Sequence, residues 1–324
     1  MADWLVEEGI AEHRAIRLDT DRIIEARIAW PGAVAAGWIV EATLTARAAG
    51  SDRGTALADS GEEVLVDRLA RDLSEGARMR IEITRAAIHG PGRLKRAQGR
   101  VSTEPLRTMT LAQGLAASGA RVSVTRRFPA CDWDELIGDA LDGEARFAGG
   151  ALLFAPTAAM TTVDVDGTLA PRALALAAVP ALADMLSRFD VGGSVVIDFP
   201  TLADKTDRRA VDTALAAALA EWPHERTAMN GFGLVQLVTR YERASLLQLA
   251  AWRRGAVIWR RLLRRAEMLA GPGPIELSMN PALEHAIAPG HLAELERRSG
   301  KRVRIHKVAT LAVEAPHAQL APDD

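Results

Sequence analysis

Apolar and polar residues alternate through much of the first hundred positions, which is the pattern of strands that bury one face. The alternation is clearest over residues 37–46 and 77–84, and glycine, aspartate and serine separate the alternating stretches. The pattern predicts strands at 38–46, 53–58, 63–66 and 79–84, and short strands of this kind close into a small β-barrel. Five such strands would form an OB-fold, although periodicity does not select that topology.

From about residue 149 the pattern changes to strands that alternate with helices. Strands are predicted at 151–154, 160–167 and 194–199, and a helix is predicted between the last two, ending before Gly192 and Gly193. A second helix is predicted to end at Pro223. The apolar residues that predict these helices are Leu182, Met185, Leu186 and Phe189 in the first, and Val211, Leu215, Leu219 and Trp222 in the second.

A long helix with two unlike faces is predicted after Leu246. At about 100° per residue, six arginines fall within an arc of about 140°, and the opposite side is apolar. We interpret this arginine face as a surface for RNA phosphates or an acidic partner subunit, or as an ordinary solvated face. Gly271-Pro-Gly-Pro then precedes a small final unit, and residues 316–324 are predicted to be disordered. The arginine face consists of Arg253, Arg254, Arg260, Arg261, Arg264 and Arg265.

Composition narrows the class of protein. The chain has 324 residues, 48% of them hydrophobic, which predicts a globular protein of two or more domains. No apolar run is long enough to cross a bilayer and the start lacks the features of a signal peptide, so we expect a cytoplasmic protein without membrane contact. The single cysteine, Cys131, allows neither an internal disulfide nor a multi-cysteine zinc site. A net charge of −2 predicts that any RNA contact is local.

Three aspartates on two predicted strands are the strongest candidates for chemistry. Asp164 and Asp166 are two residues apart, so a strand would place both on one face, and Asp198 lies in the next apolar strand. If the strands are neighbours, the three carboxylates converge and their repulsion favours a hard, oxygen-ligated cation such as Mg²⁺. The alternative is that each aspartate caps a helix or forms a turn.

The motifs around these aspartates resemble a known family. Met160-Thr-Thr-Val-Asp-Val-Asp-Gly, followed by Asp190-Val-Gly-Gly-Ser-Val-Val-Ile-Asp-Phe, is similar to the catalytic core of the ribonuclease E/G family, which has Ile-Asp-Val-Asn and then Gly-Gly-Ile-Ile-Val-Ile-Asp-Phe. Arg208-Arg-Ala-Val and Phe232-Gly-Leu-Val-Gln-Leu-Val-Thr-Arg continue the resemblance. It also reaches the N-terminal stretch that begins at Trp4, so it covers most of residues 1–245.

The resemblance implies a metal-dependent endoribonuclease that hydrolyses phosphodiester bonds of single-stranded RNA in processing and decay. It implies that Asp164 and Asp198 bind Mg²⁺, with Mn²⁺ as an alternative, and that Asp166 stands where the family has an asparagine that positions the scissile phosphate. One alternative is a catalytically weak or inactive RNA-binding protein of the same fold, and another is an assembly protein that uses the arginine face. The predicted RNA-binding residues are Arg226, Arg240, Arg253, Arg260, Arg261, Arg264, Lys95 and Arg96.

The chain departs from the family in two further respects. It lacks the Cys-Pro-x-Cys link that binds zinc, so we expect no zinc, and any homodimer would form without that link. The stretch between Arg100 and Gly150 is short, which implies that most of the region sensing an RNA 5′-monophosphate is missing.

The predicted architecture combines α+β and α/β elements. It consists of an OB-like β-barrel inserted near the N-terminus, a ribonuclease H-like and deoxyribonuclease I-like catalytic core, and a small C-terminal α/β unit. The predicted boundaries are 1–36 and 105–148 for the two parts of the ribonuclease H-like region, 37–104 for the barrel, 149–245 for the metal-binding core, and 246–324 for the arginine-rich helix and final unit.

Overall fold

The computed structural model describes residues 3–322, and within them it confirms a mixed fold of strands and helices. The strands are β1 (Trp4–Glu8), β2 (His13–Asp19), β3 (Arg22–Ala29), β4 (Ile39–Arg47), β5 (Gly54–Ala58), β6 (Glu63–Asp67), β7 (Arg78–Arg85), β8 (Ile88–Gly90), β9 (Arg93–Lys95), β10 (Ala97–Val101), β11 (Val122–Val124), β12 (Glu144–Phe147), β13 (Gly150–Pro156), β14 (Thr161–Gly167), β15 (Gly193–Asp198), β16 (Glu225–Arg226), β17 (Leu234–Thr239), β18 (Ile275–Met279), β19 (Val303–Lys307) and β20 (His317–Leu320). The helices are α1 (Leu111–Ala117), α2 (Trp133–Asp142), α3 (Pro171–Arg188), α4 (Lys205–Ala218), α5 (Leu246–Trp252), α6 (Arg254–Glu267) and α7 (His291–Ser299), with a short 3₁₀ helix at Pro281–Ala286.

The predicted small barrel is confirmed as a closed sheet of five strands in the order β10-β6-β5-β4-β7. Its strands alternate buried and more exposed residues, and the buried ones, such as Leu44, Val66 and Ile83, fill the interior. The closing strand, β10, was not among the four predicted strands. At Gly99 of β10 a Cβ atom would lie only 2.9 Å from the carbonyl oxygen of Glu82, so the close approach of β7 requires glycine there.

Two sheets outside the barrel carry most of the main core. The first has the order β11-β1-β2-β3, and the second has six strands in the order β12-β13-β14-β15-β17-β16. In the second sheet only β14 and β15 run parallel, which requires a crossover, and α3 provides it. Its apolar residues, including Val163, Val195, Ile197 and Leu237, point to the face that is covered by helices. The other face carries partly and fully exposed side chains.

The region after Leu246 differs from the prediction in two ways. The predicted long helix is two helices, because the backbone leaves the helical conformation at Arg253, where φ is −132°. The predicted disordered tail is wrong for His317–Leu320, which form β20 and pair antiparallel with β18; residues 323 and 324 lie outside the described part of the chain. Between residues 3 and 322, no helix is both long and apolar enough to cross a membrane.

The second helix of the catalytic region ends earlier than predicted. We expected it to continue to Pro223, but α4 ends at Ala218, and the last residues before the proline form a turn. Leu219 is still fully buried, so the apolar spacing identified a packed segment rather than its helical limit. The predicted domain boundaries stay predictions.

Candidate metal and RNA site

Asp164 and Asp198 lie side by side on two neighbouring strands, Asp164 in the middle of β14 and Asp198 at the end of β15. In the parallel register of β14 and β15, the Cα of Asp164 is paired with the Cα of Asp198. Both residues are exposed, whereas the residues that flank them along the strands, Val163, Val165 and Ile197, are buried, so the two carboxylates share the uncovered face of the sheet. The condition set by the sequence, that these strands be neighbours, is met.

The described side chains supply no ion-pair partner for the two aspartates. Throughout residues 3–322, no side chain forms an ion pair or a hydrogen bond with the carboxylate of Asp164 or Asp198. Asp166 lies two residues further along β14, opposite Ala151, and its Oδ1 accepts a hydrogen bond from the backbone N–H of Gly167 at 2.8 Å. Exposed and mutually close carboxylates without a cation suit a divalent ion.

The expected convergence of three carboxylates is not observed. No group of three potential metal-ligating side chains occurs in the described part of the chain. Asp164 and Asp198 are register neighbours, and Asp166 is paired with Ala151 of β13. Two carboxylates fit Mg²⁺, which commonly binds one or two protein carboxylates and completes its shell with water and substrate phosphate. The residues present therefore fit this ion without a third ligand.

The N-termini of two helices follow the C-terminal ends of the strands that carry the aspartates. The helices α3 and α4 follow β14 and β15, and neither receives a capping hydrogen bond from its N-cap side chain. Their first turns are joined by an ion pair between Nε of Arg172 and Oδ1 of Asp207, at 3.0 Å. Backbone N–H groups in the first turn of a helix bind phosphate, and the helix dipole favours the negative charge.

Arg226 and Arg240 differ in their availability to a ligand. The guanidinium of Arg226 donates to Oδ1 of Asp212 at 3.0 Å and to its carbonyl oxygen at 2.8 Å, so it ties β16 to α4. The side chain of Arg240 is 89% exposed, and its nearest acid is Glu242 at 3.3 Å. Arg240 directly follows β17, whose last residue pairs with Gly193 at the far end of β15, so Arg240 is distant from Asp198.

Lys95 and Arg96 belong to the junction between the barrel and the sheet. Nζ of Lys95 lies 5.3 Å from the centre of the Tyr241 ring, and burial lowers the pKa of Lys95. Arg96 approaches Glu63 at 3.3 Å. In the same hairpin, Nη2 of Arg93 donates to the carbonyl oxygen of Ala158 at 3.2 Å, in the loop before β14. The barrel therefore meets the sheet near the N-terminal ends of β14 and β15, whereas Asp198 lies at the C-terminal end of β15.

Five of the six residues of the arginine face contact other parts of the protein and are at least partly buried, whereas the side chain of Arg265 is 50% exposed. Arg260 stacks on the Trp30 ring at 3.8 Å, and burial lowers its pKa to about 10. Arg261 donates to Asp134 at 2.8 Å. Arg264 binds Glu7, and Arg253, which precedes α6, contacts His89 and Trp30. An intramolecular interface was not among our interpretations of this face, and RNA binding by these residues stays a prediction.

The sequence reasoning did not single out Phe232, which is the most exposed of the large hydrophobic residues in the described chain at 79%. It precedes β17, and β17 pairs with the strand that carries Asp198. Its flanking residues, Gly231 and Gly233, were the available signal, because an aromatic side chain between two glycines has little side-chain cover from its neighbours.

The family comparison covers the segment that contains this site. The model described as Ribonuclease E/G family matches residues 118–242, which include both aspartates of the pair, Asp166 and Phe232. No curated protein matches the chain. The match confirms the resemblance for the motifs that lie within residues 118–242, and the resemblance of the N-terminal stretch that begins at Trp4 stays a prediction. By its motifs and by this match, the segment from 118 to 242 is similar to the ribonuclease E/G family.

Proposed function

We propose that this protein is a metal-dependent endoribonuclease that cleaves single-stranded RNA during RNA processing and decay. The observation that carries the proposal is the register pairing of Asp164 with Asp198, which lies within the matched segment. No Lys or Arg side chain of the described residues forms an ion pair with either aspartate. The family supports an endoribonuclease role in RNA processing. The metal and the single-stranded substrate are the proposed parts.

Each part of the site has a proposed role. Asp164 and Asp198 would hold Mg²⁺, with Mn²⁺ as a substitute, and Asp166 would act as an auxiliary ligand through a water molecule or as a phosphate-positioning group. When bound, the ion supplies Lewis-acid stabilisation of the charge on the phosphoryl oxygens. The N–H groups at the starts of α3 and α4 would bind the phosphate beside the scissile one and orient the strand. No role is proposed for zinc.

The first experiment uses 5′-labelled single-stranded RNA with Mg²⁺, with Mn²⁺ and with chelator. The variants are Asp164→Asn and Asp198→Asn, which keep the size of the side chain and remove its charge. Asp72→Asn is the control, because Asp72 is an exposed aspartate of the barrel region without a role in the proposal. Cleavage should require the ion and both aspartates and should be unchanged in the control. Cleavage in chelator, or by both site variants, would contradict the proposal.

Asp166 favours a second candidate, an RNA-binding protein of the same fold with little or no turnover. A carboxylate in this position cannot donate a hydrogen bond to a phosphate and adds negative charge beside it. Asp166→Asn restores the donor and removes the charge. If the second candidate is correct, the wild type binds RNA without cleaving it under any metal, and Asp166→Asn brings cleavage above background.

We also propose four finer features. The resemblance implies an OB-type topology for the barrel, ribonuclease H-like and deoxyribonuclease I-like parts of the core, and a homodimer without a zinc link, and the composition led us to expect a cytoplasmic location. The closed five-stranded barrel supports the first of them. Sedimentation of the purified protein over a range of concentrations tests the homodimer.

A further inference from the structure

Phe232 is an isolated exposed aromatic beside the aspartate pair. Its exposure of 79% compares with 61% for Val124, the next most exposed large hydrophobic residue in the described chain. The residues next to Phe232 along the chain are Asn230, Gly231 and Gly233, which are polar or lack a side chain. An apolar side chain held in water without a partner costs free energy, so a ligand that covers the ring would recover it.

The turn that carries Phe232 is fixed by hydrogen bonds. Oδ1 of Asn230 accepts from the backbone N–H of Phe232 at 2.9 Å and from that of Leu234 at 3.1 Å. Gly233 has φ of +94°, and a Cβ there would lie 2.3 Å from the carbonyl oxygen of Phe199, so only glycine fits. The ring is therefore presented from a defined backbone.

The same turn is tied to the strand that ends in Asp198. Asp198 is the register partner of Leu234, and the N–H of Phe199 donates to the carbonyl oxygen of Gly233 at 3.2 Å. Phe232 precedes Leu234 by two residues, which is at most about 7 Å of chain. The turn thus places the ring at the edge of the sheet where the two carboxylates lie.

We infer that Phe232 stacks on a nucleobase of the RNA whose phosphate is held at Asp164 and Asp198. The inference rests on the proposed function and names the feature of the substrate that this edge binds. A single flat ring with polar and glycine neighbours suits the face of a base, whereas a protein partner requires a larger apolar patch. At this distance the stacked base lies within about one or two nucleotides of the phosphate that is cleaved.

The barrel does not offer an exposed aromatic for this purpose. Its one aromatic residue of the Phe, Tyr and Trp type, Trp38, is partly buried, and its Nε1 donates to the carbonyl oxygen of Met109 at 2.9 Å. Stacking on an aromatic ring is tolerant of base identity, because every base has a π-face. Phe232 would therefore fix the position of the strand without imposing a sequence preference.

The test measures binding separately from cleavage. Asp198→Asn is used as the background so that the RNA stays intact, and Phe232→Ala, Phe232→Trp and Leu106→Ala are each added to it. Leu106 is a matched control, since it is an exposed hydrophobic residue outside the matched segment. Binding by fluorescence anisotropy is compared for oligouridylate and for an abasic ribose-phosphate oligomer of the same length.

Phe232→Ala should weaken binding of oligouridylate by about 5-fold or more, since that is the effect of losing one stacked base. Phe232→Trp should retain binding, and Leu106→Ala should not change it. The abasic oligomer should bind equally to the background protein and to its Phe232→Ala form. Equal affinity of these two proteins for oligouridylate would overturn the inference, as would an equal loss on the abasic oligomer or a background protein that binds no RNA.

Cleavage by the wild-type protein is measured in parallel. Suppose that the wild type does not cleave, but Phe232→Ala weakens binding of oligouridylate and not of the abasic oligomer. The nuclease proposal then fails, and the stacking role stands as part of RNA binding. If the wild type cleaves and Phe232→Ala neither weakens binding nor shifts the cleavage position, the stacking role fails and the nuclease proposal stands.

Discussion

Arg264 of α6 contacts Glu7 of β1 across 257 residues of sequence, with Nη2 2.9 Å from Oε2. The side chain of Glu7 is fully buried and that of Arg264 is 9% exposed. Glu7 also accepts from Arg14 at 2.7 Å and from the backbone N–H of Phe128. This buried network holds α6 against the N-terminal sheet, so it connects two regions whose sequences give no sign of contact.

Removing one partner from this network should strongly destabilise the fold. In Arg264→Met, the carboxylate of Glu7 stays buried with fewer charged partners, and such a change typically lowers the free energy of unfolding by about 3–5 kcal/mol. Urea denaturation followed by circular dichroism measures it. Arg297→Met is the control, because the ion pair of Arg297 with Glu294 is exposed and should contribute nothing measurable. Equal midpoints for the two variants would contradict a structural role for Arg264.

Arg240 and Arg261 should differ in their effect on RNA binding. Binding of a phosphate by an arginine releases counterions from the RNA. Removing such an arginine therefore lowers the slope of log affinity against log salt concentration by about 0.7 for a single strand. Arg240 is 89% exposed, whereas Arg261 is engaged by Asp134 at 2.8 Å. We expect Arg240→Gln to lower the slope and Arg261→Gln to leave it unchanged, measured by anisotropy over a range of salt concentrations. The reverse result would mean that the arginine face binds RNA.

The pairing of the two aspartates was the part of the site that the sequence could predict. Alternation on β14 fixed the face of Asp164, and the apolar strand that ends in Asp198 supplied its neighbour. The role of the arginines could not be predicted in the same way. Helical spacing fixes which residues share a face but not which element packs against it, and Asp134 and Glu7 lie 127 and 257 residues away from their arginine partners.

Stability should depend on pH through Glu12, which is buried between β1 and β2. Burial raises the pKa of Glu12 above its ordinary value, and the nearby Arg14 and Arg260 only partly oppose this shift. Between the ordinary pKa and the raised one, the folded protein binds more protons than the unfolded chain, so the free energy of unfolding falls as pH rises. Glu12→Gln removes the group that must ionise, and its stability relative to the wild type should therefore increase with pH.

The measurement is urea denaturation of both proteins at about pH 4 and about pH 7, since the window opens near the ordinary pKa of glutamate. A constant cost of replacing the carboxylate is the same at both pH values and cancels in the comparison. Glu8→Gln, at an exposed neighbouring position, should show no such trend. A relative stability of Glu12→Gln that falls as pH rises would show that the two arginines, and not burial, dominate the site.

Removal of β20 should destabilise the C-terminal unit, although its sequence suggested disorder. The strand pairs with four residues of β18, and Ala318 and Leu320 pack against the cluster that contains Trp259 and Leu262. A chain that ends after Ala315 should lose about 2 kcal/mol or more of unfolding free energy, from the apolar area exposed and the ladder hydrogen bonds lost. A chain that ends after Ala321 keeps the strand and should unfold at nearly the wild-type urea concentration. Equal stability of the two truncated chains would mean that the strand contributes no net free energy and that this segment is dispensable, as the sequence had implied.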